Sequence, residues 1–175
     1  MNRTQKTAIL QADRVGGHGM DKNEQVMANV RDLFNKLAWI NKVKMEKALE
    51  GYKPSEVHCI EYIAKNEDPN VTKLAEAFYM TKSAISKITK KLMDKGYIES
   101  YQKPENKKEI YFRLTAKGAE INQVHDDLHQ EFLDRDKVVF EDVTDAQYAE
   151  VLKFVDKYSR HLDNEMQKVY NQKSE

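Results

Sequence analysis

The chain has 175 residues, with 29 basic and 29 acidic side chains and therefore a formal net charge of zero. This length predicts one domain with flanking helices, and the single cysteine, Cys59, excludes an intramolecular disulfide framework. No apolar run approaches the roughly 18 residues that a membrane-spanning helix needs, and residues 1–20 lack the hydrophobic stretch of a secretory signal. These features predict a soluble cytoplasmic protein with no membrane partner.

The charges are distributed unevenly along the chain. Residues 81–117 contain ten basic and four acidic side chains, a local net charge of +6, whereas residues 118–165 contain five basic and thirteen acidic ones, a net charge of −8. This asymmetry is more informative about binding partners than the net charge of the whole chain, because a basic segment can bind nucleic acid even in a neutral chain.

The hydrophobic pattern predicts mainly helices with one β-hairpin. Residues 1–23 form a glycine-containing lead-in. After it, apolar residues recur with a period of 3.6, which predicts a long helix within residues 24–53. Pro54 opens a second helix, the turn "NEDPN" leads into a short third one, and Thr81 is the expected N-cap of a fourth that stops at Gly96. The stretches "YIESYQK" and "EIYFRLT", separated by "PENKK", predict a hairpin with a charged tip.

Two short helices followed by a hairpin form a winged helix-turn-helix, which we assign to residues 54–117. Long helices over residues 118–170 and a tail over 171–175 complete the chain. The fourth helix would bury Ile85, Ile88 and Leu92, and its opposite face would be free to enter a DNA major groove. Small hydroxyls and lysines at a helix N-terminus can approach phosphates and base edges; the predicted DNA-binding residues are Thr81, Lys82, Ser83, Ser86, Lys87 and Lys90, with Lys107 and Lys108 at the hairpin tip.

A lysine-rich amphipathic helix can also be an ordinary solvated face. The basic hairpin next to an acidic remainder favours DNA. The sequence also resembles the MarR family of transcriptional regulators from "VTKLAEAFYMTKSAISKITKKLMDKGYIES" through "PENKKEIYFRLTAKG". The resemblance covers almost the whole chain after residue 24, and it implies a homodimer, built from the N- and C-terminal helices, that binds a pseudo-palindromic operator, most often as a repressor.

The wing departs from the usual family pattern. The family commonly has an aspartate and arginines there, and this chain has Asn106, Lys107 and Lys108. Lysine lacks the planar guanidinium group with which arginine donates two parallel hydrogen bonds to one base. The wing is therefore expected to contact phosphates or the minor groove without base-specific reading.

Members of the family commonly respond to a ligand, to cysteine oxidation or to a metal. Cys59 has no adjacent lysine or arginine to activate it. His125 and His129 in "VHDDLHQEF" are four residues apart and share one helix face. The chain is similar, in addition, to the zinc-responsive adhesin-competence repressors. Residue-by-residue matching implies a Zn²⁺ site formed by Glu46, His58, His125 and His129; the second metal site of those repressors falls on Val57 and Val124 and is expected to be absent.

Several alternatives remain open at this stage. The histidines could be solvated surface residues, as we expect for His18 and His161. The effector could be a phenolic or other amphipathic molecule in a cleft lined by Trp39, Met45 and Tyr62. "HDDLH" superficially resembles the H-E-x-x-H motif of zinc hydrolases, but Asp126 replaces the general-base glutamate, so an enzyme is not expected. A structural DNA-binding protein without an effector is a further alternative.

Overall fold

A computed structural model of the chain describes residues 21–172 and divides it into two compact units, with the boundary between Tyr52 and Lys53. In its described part, the first unit consists of one long helix, α1 (Lys22–Ala48). This helix begins two residues earlier than the sequence predicts. Residues 1–20 of the predicted lead-in, including His18, lie outside the described residues, as do residues 173–175 of the tail.

The second unit contains the other helices and a two-stranded antiparallel sheet. Its architecture confirms the predicted fold class, a mainly α protein with a winged helix-turn-helix and a small hairpin. The elements in chain order are α2 (Pro54–Lys65), α3 (Val71–Ala77), α4 (Lys82–Asp94), β1 (Ile98–Lys103), β2 (Asn106–Leu114), α5 (Ala116–Asp136), a 3₁₀ turn (Lys137–Phe140) and α6 (Asp145–Gln172).

Side-chain caps begin the two helices of the helix-turn-helix. The Asn70 side chain accepts a hydrogen bond from the backbone N–H of Lys73 at 2.8 Å at the start of α3. The predicted cap of α4 is also present, since the Thr81 hydroxyl accepts one from the backbone N–H of Ala84 at 3.2 Å. These bonds satisfy amides that have no partner inside the helix.

The core of the second unit lies beneath the helix-turn-helix. Ile60, Leu74, Ile85 and Leu92 are completely buried, so one residue from α2, one from α3 and two from α4 meet there. Ile88, which was also predicted to face inward, is only half-buried. Thr89 is buried as well, because its hydroxyl donates a hydrogen bond to the Ile85 carbonyl at 3.1 Å and so needs no water.

The hairpin register corrects the predicted position of two lysines. Lys103 of β1 pairs with Asn106 of β2, so the connecting loop contains only Pro104 and Glu105. Lys107 and Lys108 therefore lie in β2 and not at the tip. The sequence pattern located the charged segment but not the register, because two-residue and five-residue loops both suit a proline-containing polar run.

Helix α6 carries apolar side chains that nothing covers within the described part of the chain. Val151, Leu152 and Val155 are each more than half exposed, although hydrophobic residues at this spacing usually form a buried stripe. In the first unit, Phe34 and Trp39 of α1 are exposed to 66% and 71%. Within residues 21–172, no helix is both long enough and apolar enough to cross a membrane.

Candidate DNA-binding surface and metal-binding cluster

The outward face of α4 and its N-cap, Thr81, carry the residues of the helix-turn-helix that are predicted to bind DNA. The helix buries Ile85 and Leu92, and the opposite side chains project into solvent as a consequence of the helical period. Acidic residues are absent from this helix before Asp94, so its N-terminal half presents hydroxyls and ammonium groups alone. The exposed members of this set, the recognition face, are Thr81, Lys82, Ser83, Ser86, Lys87 and Lys90.

The hairpin is fixed to the loop between α2 and α3. The carboxylate of Asp68 accepts a hydrogen bond from the Tyr101 hydroxyl at 3.2 Å and forms an ion pair with Lys103. The hydrogen bond from Lys103 is the main cause of the lowered Asp68 pKa. The backbone N–H of Phe112 donates to the Pro69 carbonyl at 2.9 Å. This anchoring holds exposed Lys107 and Lys108 in position relative to the helix-turn-helix.

A buried carboxylate joins α2 to α4. Glu56 is 2% exposed and accepts hydrogen bonds from the ammonium groups of Lys91 and Lys95. Burial alone would raise the Glu56 pKa, but the hydrogen bonds and charges of the two lysines outweigh it, so the pKa is lowered. The C-terminal end of α4 is thus attached to α2 by a charged contact, while the recognition face stays exposed.

A second charged cluster lies between α2 and α5. One ligand-type atom each from Glu61, His125 and His129 lies within 4.8 Å of the others. The Nε2 atoms of His125 and His129 are 3.2 Å apart, as expected for imidazoles one helical turn apart on one face. Imidazole and carboxylate together are typical ligands of Zn²⁺ and related ions.

His125 is the most unusual member of this cluster. Its side chain is 1% exposed, and its Nδ1 has no hydrogen-bond partner. A carboxylate oxygen of Glu61, Oε2, faces that nitrogen at 3.7 Å, beyond hydrogen-bond distance. Burial is the largest influence and lowers the His125 pKa, which favours the neutral ring that metals bind. A buried polar nitrogen without a partner is costly, and a nearby metal site would account for it.

The other oxygen of Glu61 is held by a lysine. Lys65 contacts Glu61 Oε1 at 2.8 Å and Asp126 of α5 at 2.9 Å. Burial opposes ionisation of Glu61, but the hydrogen bond from Lys65 outweighs it, and the Glu61 pKa is lowered. Glu61 is therefore a carboxylate at neutral pH. Asp126, which occupies the general-base position of the hydrolase-like motif, is engaged in this ion pair.

The cluster contains two of the four predicted metal ligands, His125 and His129, and a third, His58, lies beside it. The ring of His58 lies 5.9 Å from that of His125, centroid to centroid. Glu46 lies on α1, in the other unit, where its carboxylate pairs with Lys42 at 3.6 Å. Its role as a ligand stays a prediction. Glu61 was missed, although its spacing of three residues from His58 places both on one face of α2.

The remaining candidates occupy varied positions. Cys59 is buried, and its burial raises the pKa of the thiol to about 12, as expected of a core residue without redox function. His161 is stacked on Tyr158. Tyr62 packs edge-on against Phe78. The second unit has a cavity of about 610 Å³ whose lining includes Tyr79, Met80, Lys82 and Met166. The residues predicted to line an effector cleft, Trp39, Met45 and Tyr62, are not part of it.

The two short helices, the hairpin and the exposed basic face define a winged helix-turn-helix DNA-binding domain. Residues 53–110 match the model of the MarR family. This domain is thus similar to the MarR family domain, as the sequence resemblance indicated. Proteins of this family are DNA-binding transcriptional regulators and not enzymes, so the prediction that the chain has no catalytic function is confirmed.

Individual relatives agree with this assignment. The chain is 40% identical over 76 residues to a protein of Bacillus subtilis (strain 168) called uncharacterized HTH-type transcriptional regulator YhjH, and the match spans 43% of each chain. It is 28% identical over 154 residues to the HTH-type transcriptional regulator PchR of the same organism. This match covers 78% of this chain and 89% of PchR. The fold is shared with Streptococcus pneumoniae FabT in complex with DNA, at a TM-score of 0.68 and 19% identity, over 81% of this chain and 98% of that one.

Proposed function

We propose that this protein is a cytoplasmic, homodimeric repressor that binds a pseudo-palindromic DNA operator and whose operator affinity is raised by Zn²⁺ or a similar divalent metal ion. The observation that carries the DNA-binding part is the recognition face, a row of exposed hydroxyls and lysines without a carboxylate before Asp94. A helix with these properties suits the major groove because its short polar side chains reach base edges while its lysines contact phosphates.

The homodimer is supported by the uncovered apolar side chains of α6. A helix that exposes Val151, Leu152 and Val155 to water loses the free energy that their burial would contribute, about 1.5–3 kcal/mol for each fully buried side chain. A second copy of the chain is the partner that the family resemblance implies. Two recognition helices in such a dimer would read half-sites about 34 Å apart, which is one turn of DNA.

Metal regulation is supported by the donor atoms between α2 and α5. The imidazoles of the buried His125 and the adjacent His129, with the carboxylate of Glu61 beside them, fit a borderline metal such as Zn²⁺ better than a hard ion that prefers oxygen ligands. An ion bound by His58 of α2 together with His125 and His129 of α5 would be a fixed cross-link between the two helices. Fixing α2 against α5 would reduce the conformational freedom that DNA binding must otherwise remove, and so raise operator affinity.

The DNA-binding part is tested by selecting random duplexes on the full-length chain and sequencing the bound fraction. Wild-type protein should enrich an inverted repeat, whereas Lys87→Glu, which puts a carboxylate on the recognition face, should lose that enrichment. Lys153→Glu on α6 makes the same charge change at another exposed lysine and serves as the matched control. Sequence-independent binding by the wild type, with no enriched repeat, would contradict the proposal.

A small organic effector is a second candidate because of the cavity of about 610 Å³ beside the start of α4. Tyr79 and Met80 provide apolar wall and Lys82 a cation, a combination that suits an amphipathic phenol or aromatic acid. The two effectors are distinguished on the DNA-bound protein. Release by a chelator supports metal regulation, and release by salicylate-like compounds with no effect of chelator supports the organic effector.

A further inference from the structure

We propose that Glu61 acts on the metal site through His125: its carboxylate accepts a hydrogen bond from Nδ1–H of His125 and thereby directs the Nε2 lone pair of that ring to the metal, beside Nε2 of His129. Glu61 is then a positioning residue and not a ligand. This inference rests on the proposed metal regulation, and it assigns a role to a residue that the sequence resemblance leaves without one.

The two imidazoles of α5 have the spacing of a ligand pair. Their Nε2 atoms are 3.2 Å apart. Two nitrogens bound to one tetrahedral Zn²⁺ at about 2.0–2.1 Å are separated by roughly 3.3–3.4 Å. The separation of the two nitrogens therefore matches that of a ligand pair, and reorientation of the rings would direct both lone pairs at one ion.

The tautomer of His125 follows from which nitrogen binds the metal. A neutral imidazole has one N–H donor and one acceptor nitrogen. If Nε2 provides the lone pair for the metal, the hydrogen must be on Nδ1, and Nδ1 is buried and has no hydrogen-bond partner. The Glu61 oxygen that faces it at 3.7 Å needs to approach by less than 1 Å to accept that hydrogen at an ordinary distance.

Direct ligation by Glu61 is the competing arrangement, and it fits less well. A single ion can bind only one nitrogen of His125. If that nitrogen were Nδ1, on the Glu61 side, Nε2 would carry the hydrogen and point it at His129, which would then be lost as a partner on the same ion. Binding through Nε2 keeps both histidines and gives Nδ1–H an acceptor, the carboxylate–histidine–metal arrangement that fixes ring orientation in many metal sites.

Lys65 binds one carboxylate oxygen of Glu61, and the other oxygen faces His125. Its ammonium group holds Oε1 at 2.8 Å and also pairs with Asp126 of α5 at 2.9 Å. Oε2 is left facing the imidazole. The carboxylate is thus held by a lysine on one side and presented to His125 on the other, across the contact between α2 and α5.

The test compares Glu61→Met, which removes the acceptor, with Glu61→Gln, which keeps a neutral one, in the full-length chain. Asp127→Asn is the matched control, since it removes an exposed carboxylate of α5 that is paired with Gln123. Zinc affinity is measured by competition with a chelating dye, and the His125 tautomer is read from ¹⁵N NMR of the metal-free protein. Far-UV circular dichroism and thermal melts of the metal-free variants verify that they fold.

The inference predicts that Glu61→Met weakens zinc binding by about 10- to 100-fold and shifts His125 toward the Nε2–H tautomer. Glu61→Gln should lose less than Glu61→Met, and Asp127→Asn should match the wild type. Equal zinc affinity in wild type and Glu61→Met, or an equal loss in both Glu61 variants with an unchanged tautomer, would overturn the positioning role while leaving metal regulation intact. Failure of the wild type to bind zinc would overturn both.

Discussion

The carboxylate of Glu56 in α2 accepts a hydrogen bond at 3.2 Å from the ammonium group of Lys95, the residue that caps the C-terminus of α4, although Glu56 itself is only 2% exposed. Lys91 contacts the other oxygen of the same carboxylate. Helix α2 also carries His58 and Glu61. One helix therefore joins the metal-binding cluster to the recognition helix, and any displacement of α2 would be transmitted to α4 through this ion pair.

Replacing Glu56 by Gln should destabilise the protein by about 1–3 kcal/mol at pH 7, because two charge-assisted hydrogen bonds are lost. Both lysines are partly exposed and can remain hydrated, which limits the cost. Urea unfolding measures the difference. The control is Glu99→Gln, which breaks the exposed pair with Arg113 and should change stability by less than about 1 kcal/mol; equal effects of the two changes would contradict the role given to Glu56.

The same contact predicts a pH dependence. The folded-state pKa of Glu56 is lowered from its usual 4.5, so its contribution to stability is fully present above about pH 4.5 and is lost as the pH falls through the lowered folded-state pKa. The stability difference between wild type and Glu56→Gln should therefore be largest near pH 7 and shrink in acid. A difference that stays constant down to about pH 2.5 would show that the ionised carboxylate is not the cause.

Gly118 permits a close approach between the start of α5 and the chain after α4. A Cβ atom at this position would lie 1.9 Å from the Tyr97 carbonyl oxygen. Helix propensity alone predicts that Gly118→Ala stabilises the protein by about 1 kcal/mol, whereas the steric conflict predicts destabilisation by about 1–3 kcal/mol. We expect destabilisation, measured by urea unfolding.

Gly96→Ala provides the comparison, since Gly96 has a φ of +73° but a Cβ atom added there would meet nothing within 4 Å. Its cost should come from the backbone alone, about 1 kcal/mol. A stabilised Gly118→Ala variant would contradict the close contact between α5 and the Tyr97 carbonyl.

Local signals in the sequence predicted the elements of the DNA-binding domain well. Thr81 as a cap, Gly96 as a stop and the outward lysines of α4 follow from helix periodicity and capping, which depend on residues only a few positions apart. The register of the hairpin did not follow, since the pairing of Lys103 with Asn106 is decided by the sheet. Glu61 and the partnerless Nδ1 of His125 depend on the packing of α2 against α5, which no local pattern encodes.

Tyr79 should be replaceable by glycine with a gain in stability. It lies in the turn between α3 and α4 with a φ of +52° and is 60% exposed. A side chain in this left-handed conformation costs about 1–2 kcal/mol that glycine avoids. The chain entropy that glycine loses on folding, about 0.5–1 kcal/mol, and the lost contacts of the partly buried ring offset part of that, so the expected gain is small. The gain should appear as a raised urea midpoint; a lowered midpoint would indicate that the tyrosine ring makes a stabilising contact that outweighs the backbone strain.

The wing lysines should bind phosphates without distinguishing bases. Replacing Lys107 and Lys108 together by Gln should weaken binding to operator and to unrelated duplexes by a similar factor. It should also reduce the slope of log affinity against log salt by about 1–2, because up to two phosphate contacts are lost. Fluorescence anisotropy over a range of salt concentrations measures both. A selective loss of operator binding would instead indicate base reading by the wing.

The central claim, that a metal ion at the histidine cluster controls DNA binding, is tested most directly by the operator affinity of one protein preparation with excess Zn²⁺ and with chelator. The operator is the inverted repeat obtained by selection, and anisotropy is measured at fixed salt and pH. We predict at least about tenfold tighter binding with Zn²⁺, within the range of about 1–3 kcal/mol usual for coupled sites, and no metal effect in His125→Ala. Identical operator affinity of the wild type with Zn²⁺ and with chelator would contradict the claim.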